Sequence, residues 1–312
     1  DIRDIREIQK SGRIFGAKHV PRCMLEFWID PESPYHKKFF NDNYHFICAD
    51  ITDFNCLSQS IDCYFDICIH GASFNEHFLE NYSRNSLLVN SLGTDNLCRA
   101  LLIHGVGKLI YLSTFHVYGS QSGLIQEGSN ISPANDYGLT HYFAEKYIEK
   151  HAASSSLDYV ILRLTNSYGC PGRISTDKWY LIFNDFCKQA YESNEIVIRG
   201  NSLSMRDFIW MGDVVSVIEK LSVNAQLKRL CLNLSNFQSI SLYDLAQNVQ
   251  SACSETLSRI PEIICLGGES PVEELQVSNE KLCKILPFIF KNQLKEESTK
   301  IFQLLERGVG IV

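Results

Sequence analysis

No apolar run in this chain approaches the ~20 residues that a bilayer span requires. Close cysteine pairs are missing too: no CxxC occurs among the 12 cysteines, which excludes zinc ribbons and redox motifs built on that spacing. Lys and Arg number 29 against 36 Asp and Glu, and the signs are interspersed, so no basic stripe is offered to phosphate backbones. Neither a membrane nor a nucleic acid is expected as a partner. The opening Asp1-Ile2-Arg3-Asp4-Ile5-Arg6 lacks the apolar centre of a signal peptide. What is present is a chain of 312 residues, 45% apolar and 21% charged, the composition of a packed protein. That length suits one large domain or two moderate ones. Cys48, Cys68, Cys98 and Cys231 lie inside apolar runs and read as reduced thiols acting as small hydrophobes. The expected compartment is the cytoplasm, and no metal site is foreseen.

Short apolar runs alternate with helical stretches through the first half. Strands are expected over residues 24–29, 45–49, 64–70, 108–113 and 159–164. A helix is expected over 87–104, ended by Gly105, and another over 137–151. Near-continuous apolar strands alternating with helices imply a parallel sheet covered on both faces. After Leu164 the alternation loosens, Gly169-Cys170-Pro171-Gly172 marks a turn, and residues 179–193 read as an amphipathic helix. The fold class is therefore α/β, a Rossmann-like doubly wound parallel sheet with a smaller C-terminal lobe. The dinucleotide domain is placed at 1–165 with 207–235 returning to it. The substrate lobe is placed at 166–206 and 236–312. In such sheets ligands bind past the carboxyl ends of the strands.

Those ends carry an ordered set: Ala49-Asp50-Ile51-Thr52-Asp53, Ile69-His70-Gly71-Ala72, Leu112-Ser113-Thr114-Phe115-His116-Val117-Tyr118-Gly119, and Tyr137-Gly138-Leu139-Thr140-His141. Downstream come Thr165-Asn166-Ser167-Tyr168-Gly169 and Arg206-Asp207-Phe208-Ile209-Trp210. In this order the chain resembles, over about residues 24–235, the extended short-chain dehydrogenase/reductase family of nucleotide-sugar epimerases and dehydratases. The resemblance implies that Tyr137 is the proton-exchanging phenol and that Thr114 hydrogen-bonds the reacting oxygen. It implies further that Asp30, Asp50, Ile51, Ala72, Asn90, Tyr137 and His141 hold NAD (with NADP still open), and that Asn166 and Arg206 contact the sugar nucleotide. Asp30 would favour NAD by accepting from the ribose hydroxyls, and Arg206 offers a fork of donors suited to a diphosphate. A homodimer through the helices near 90–104 and 137–151 is also implied.

Three departures from the family stand out. Its Tyr-x-x-x-Lys becomes Tyr137-x-x-x-His141, and imidazole titrates near ~6.5 where lysine stays charged. Dehydratases carry an Asp-Glu pair after the threonine; here Phe115-His116 stands there, which disfavours 4,6-dehydration and leaves His116 as an acid/base candidate or a packed edge residue. The glycine loop GxxGxxG, which brings a helix N-terminus to the pyrophosphate, does not occur before Met24, and its strand and loop are either outside this sequence or diverged. The expected function is an NAD(P)-dependent nucleotide-sugar epimerase or keto-sugar reductase. The alternative is an attenuated or non-enzymatic nucleotide-binding relative of the same fold.

Overall fold

The computed structural model describes residues 47–75, 81–119, 122–176, 178–267 and 270–309. The strand expected at 24–29 and the candidate Asp30 lie outside them. Of the strand expected at 45–49, residues 47–49 are described and form no strand.

The chain divides into two compact units. One comprises the chain up to Gly119 together with Glu127–Leu164 and Ile218–Leu232, the other Ser120–Gln126, Thr165–Val217 and Asn233–Val312. The first is organised by a four-stranded sheet, β1 (Phe65–His70), β2 (Val106–Thr114), β3 (Tyr159–Leu164) and β4 (Leu230–Leu234), adjacent in that order. β1 runs parallel to β2 with His70 opposite Tyr111, and β2 runs parallel to β3 with Thr114 opposite Leu164. Leu109, Ile110, Tyr111 and Val160, Ile161, Leu162 are buried without alternation, as strands covered on both faces must be. The covering helices include α1 (Gly93–His104) and α2 (Asp136–Ala153). Their residues Leu97, Cys98, Leu101, Ala144 and Ile148 close a core with Leu109, Tyr111 and Ile161; each large aliphatic so buried contributes ~1.5–3 kcal/mol. Gly105 ends α1 at φ 86, a backbone conformation that side chains with a Cβ resist. The helix expected from residue 87 begins instead as a π-helical stretch, Leu87–Leu92, after a short helix Tyr82–Ser86.

The second unit has its own core. The strands Asn166–Tyr168, Met205–Trp210 and Ser239–Ser241 form one small sheet, and Glu195–Ile198 pairs with Glu262–Cys265 in another. Helices Ile182–Glu192, Leu242–Leu257 and Leu294–Val309 close over Phe183, Phe186, Leu245, Val249, Ile301 and Phe302. The eleven cysteines among the described residues are free thiols, with Cys98, Cys170, Cys187 and Cys253 buried. Among the described residues no helix is long and apolar enough to cross a membrane.

Candidate functional site

One face of α2 carries two of the four expected catalytic residues, Tyr137 and His141. Asn135 caps the helix by accepting the Gly138 N–H at 2.8 Å, and this fixes the turn on which Tyr137 stands. Residues 137, 141, 145 and 148 then recur at intervals of four and three, which puts Tyr137, His141, Glu145 and Ile148 along one stripe. The half-buried Tyr137 ring meets the His141 ring edge-on, centroids 4.5 Å apart. His116 also meets Tyr137 edge-on, centroids 5.8 Å apart. That approach requires glycine at 138, since a Cβ there would lie 2.5 Å from the His116 carbonyl oxygen. His116 sits in the 3-10 turn Phe115–Tyr118, whose cap is Thr114: its Oγ1 accepts the His116 N–H at 3.2 Å. Thr114 is buried at the end of β2, and accepting this bond leaves its own hydroxyl proton available to donate. Tyr137, Thr114, His116 and His141 thus share one neighbourhood of the first unit.

The electrostatics of position 141 differ from those of a lysine. His141 is 2% exposed, its Nδ1 lies 2.6 Å from Tyr111 Oη and its Nε2 lies 3.1 Å from Ser73 Oγ. Burial, helped by the neighbouring His70 and His116, holds its imidazole down to about 3. His70, buried beside the Tyr111 ring and bonded to Thr94 Oγ1 at 2.8 Å, is held down to about 4 by burial. Tyr111 is pushed well above the ordinary phenol range by the same burial, with Glu145 and Tyr137 adding to it. At neutral pH this interior contains two neutral imidazoles and a neutral phenol.

The remaining first-unit candidates lie in the loop after β1, in the π stretch and in the turn at residues 50–52. Ala72 follows β1 in the loop Gly71-Ala72-Ser73. Asn90, in the π stretch, is fully buried; its amide oxygen accepts Phe74 N–H at 2.6 Å, and its NH2 donates to Phe74 O at 3.2 Å and Thr140 Oγ1 at 3.0 Å. With these partners Asn90 holds the loop after β1 against α2. The Asp50 carboxylate accepts both the N–H and the hydroxyl of Thr52 at 2.8 Å, forming a local turn. Ile51 packs against the first core. In the second unit, Asn166 Nδ2 donates to Asp207 O at 3.0 Å. The half-buried Arg206 donates from Nη1 to Met205 O at 2.9 Å. Asp207, on the opposite face of that strand, turns inward to Thr165 Oγ1 at 2.6 Å and the Asn236 N–H at 3.0 Å, and burial raises its carboxyl to about 6.

Several members of the site carried no motif. Ser73 reads in the sequence as a turn residue, and Tyr111 as a strand aromatic. Glu145 is fully buried: Oε1 accepts Ser113 Oγ at 2.6 Å and Arg163 Nε at 3.0 Å, while Oε2 accepts Arg163 Nη2 at 2.6 Å. Arg163 continues to Tyr118 Oη at 3.0 Å. Burial opposes the Arg163 charge, but Glu145 outweighs it and raises the guanidinium above its ordinary value. This network clamps the residue before Thr114 and the end of the 3-10 turn. An arginine inside the apolar run Leu162-Arg163-Leu164 was the available signal, because such a charge demands a partner.

The model of the family described as NAD dependent epimerase/dehydratase matches residues 26–229, more than half of the chain. The dTDP-D-glucose 4,6-dehydratase of Mus musculus is 28% identical over 220 residues, covering 69% of this chain and 60% of that protein. The UDP-glucuronate 4-epimerase of Thermodesulfobacterium geofontis is 28% identical over 177 residues, 56% of this chain and 53% of its own. The chain spans about half to two thirds of the length of the curated relatives it matches. Among solved structures, the UDP-glucuronic acid 4-epimerase of Bacillus cereus in complex with NAD superposes with a TM-score of 0.71 at 20% identity, over 86% of this chain and 81% of that one. The shared fold is the Rossmann-like α/β architecture.

Proposed function

The chain belongs to the NAD dependent epimerase/dehydratase family, and from that premise we propose an NAD-dependent oxidoreductase that acts on a nucleoside-diphosphate sugar as an epimerase or a keto-sugar reductase. The observation that carries this reading is the half-buried Tyr137 phenol, in edge-on ring contact with both His141 and His116, the latter in the turn capped by Thr114. The described residues fit the nicotinamide end of a dinucleotide: a small-residue loop after β1, a hydroxyl donor after β2 and a phenol on the next helix. When bound, the nicotinamide supplies or accepts hydride. Tyr137 exchanges the proton of the sugar hydroxyl, and Thr114 donates a hydrogen bond to the same oxygen. Arg206, whose described hydrogen bond uses only Nη1, keeps donors for a diphosphate. Phe115 is 1% exposed and has no exchangeable proton to transfer, which supports epimerisation or reduction over 4,6-elimination.

The relatives point the same way: the matched Bacillus cereus epimerase is in complex with NAD, and the epimerase and dehydratase relatives are named for UDP and dTDP sugars. A homodimer is part of the proposal, supported by the exposed Leu87, Leu92, Leu139 and Phe143 on the π stretch and α2. The free thiols suit a reducing compartment such as the cytoplasm. The neutral His141 favours a second reading, a relative that binds these ligands with attenuated turnover.

Thermal stabilisation by NAD, NADP and UDP-, GDP- and dTDP-sugars tests the proposal, because a ligand of the folded state raises the melting point. If neither class moves it, the reading fails. Where binding is seen, analysis of the product separates epimer from reduced sugar. Tyr137→Phe is then expected to lower kcat by ~10²–10⁴-fold with binding retained.

A further inference from the structure

We infer that Ser73 and His141 together stand in for the family's lysine as a neutral hydrogen-bonding arm, so that this site holds its dinucleotide and orients Tyr137 without a fixed positive charge. The inference rests on the functional reading above and adds how position 141 meets the cofactor.

Both ring nitrogens of His141 are committed, Nδ1 to Tyr111 Oη at 2.6 Å and Nε2 to Ser73 Oγ at 3.1 Å. A ring held at both ends has no nitrogen left to reach a ribose. Tyr111 is 1% exposed and His141 2%, whereas Ser73 is half-buried in the loop that follows β1, the strand end at which this fold receives ligands. With the Tyr111 hydroxyl donating to Nδ1, Nε2–H donates to Ser73 Oγ, and the serine proton is passed on to whatever lies against the loop. The other tautomer reverses both bonds, so that Ser73 Oγ–H donates to Nε2 and leaves the serine oxygen to accept from a ligand; in each case the arm ends in a hydroxyl and carries no charge. An imidazole is shorter than a lysine side chain, and Ser73 supplies the missing length from the opposite element. The loop is also braced, since Asn90 holds both the N–H and the carbonyl of the next residue, Phe74. The titratable groups against Tyr137 include His116 from the 3-10 turn, His141 from its own helix and, through space, Tyr111 from β2.

The test uses the full chain with NAD itself as probe. Isothermal titration should show Ser73→Ala weakening NAD about 3- to 10-fold, the loss of one hydrogen bond, with Ser73→Thr restoring it. Independently of any ligand, the ultraviolet phenolate titration assigned to Tyr137, taken as the difference from Tyr137→Phe, should move down by ~1–3 pH units in His141→Lys. His141→Gln, which stays neutral, should leave that titration in place and serves if the lysine variant does not fold. Ser73→Ala binding NAD as the unaltered chain does would overturn the inference. So would a Tyr137 titration that His141→Lys leaves unmoved, or that His141→Gln shifts as far as the lysine does. Failure of the unaltered chain to bind NAD at all would sink the functional reading and this inference together, whereas the first three results sink the inference alone.

Discussion

Two polar networks sit one helical turn apart on the same face of α2, and they solve burial in opposite ways. At Glu145 the helix places a full negative charge in the interior and answers it with the Arg163 guanidinium, with Ser113 and Tyr118 taking the remaining bonds. At His141 it places an ionisable ring in an equally buried spot and gives it only hydroxyls, Tyr111 and Ser73. Burial is affordable for a charge that is paired and hydrogen-bonded; without a counter-charge the group gives up its charge. A lysine at 141 would need an anion nearby, and in this family's chemistry the tyrosinate serves. Here position 141 carries a buried imidazole, and the rings of His141 and His116 meet Tyr137 edge-on.

Breaking the charged network should cost most. Glu145→Ala leaves Arg163 buried without its partner, a loss of ~3–5 kcal/mol, read as a lower midpoint in urea. Replacing both members, Glu145→Leu with Arg163→Met, should recover most of it, because the uncompensated charge is removed along with the pair. A Glu145→Ala variant as stable as the unaltered chain would show that the ion pair is not closed in solution.

The neutral network should instead reveal itself through acid. His70 and His141 are held to about 4 and about 3, below the ~6.5 of an unfolded histidine. Between those values the unfolded chain binds more protons than the folded one, so stability is present above pH ~6.5 and is lost as pH falls, by at most ~1.4 kcal/mol per pH unit for each histidine. Asp207, raised to about 6 from 3.8, works in the reverse direction: its contribution is full below 3.8 and is lost as pH rises through about 6. Denaturation midpoints from pH 7 to pH 4 should therefore fall less steeply in a His70→Asn variant. A slope identical to that of the unaltered chain would mean that His70 is not buried as a neutral ring.

What the sequence disclosed follows from how far apart the partners lie. Strand Tyr159–Leu164 and helix Asp136–Ala153 depend on local apolar pattern and caps, and they fall where residues 159–164 and 137–151 were expected. The helix expected over 179–193 narrows to Ile182–Glu192, with Lys178–Tyr180 forming a separate 3-10 turn. The π stretch Leu87–Leu92 falls inside the span 87–104 expected as one helix. The Tyr137–His141 pairing is local, one turn of helix, and so was legible. Ser73 lies 68 residues from His141 and Glu145 lies 18 from Arg163; such contacts are made by the parallel sheet bringing strand ends together, and no spacing along the chain announces them. Asn90 shows the other limit, a position found through resemblance whose amide turns out to hold backbone.

The smallest expected effect lies one residue from the largest. Lys146 follows Glu145 on α2 but points to solvent, 47% exposed, and pairs with Glu149 at 2.7 Å. Its ammonium and that carboxylate stay hydrated in folded and unfolded chains alike, so the Coulomb gain is offset by the entropy of holding two long side chains together. Lys146→Ala should change stability by no more than ~0.5 kcal/mol, and 0.5 M salt should shrink even that. Glu145→Ala should keep its full cost in the same salt, because the buried pair is not screened. A salt-sensitive penalty at 145, or a large one at 146, would mean that water reaches the Arg163 pocket and that the charged half of this helix face is not dry.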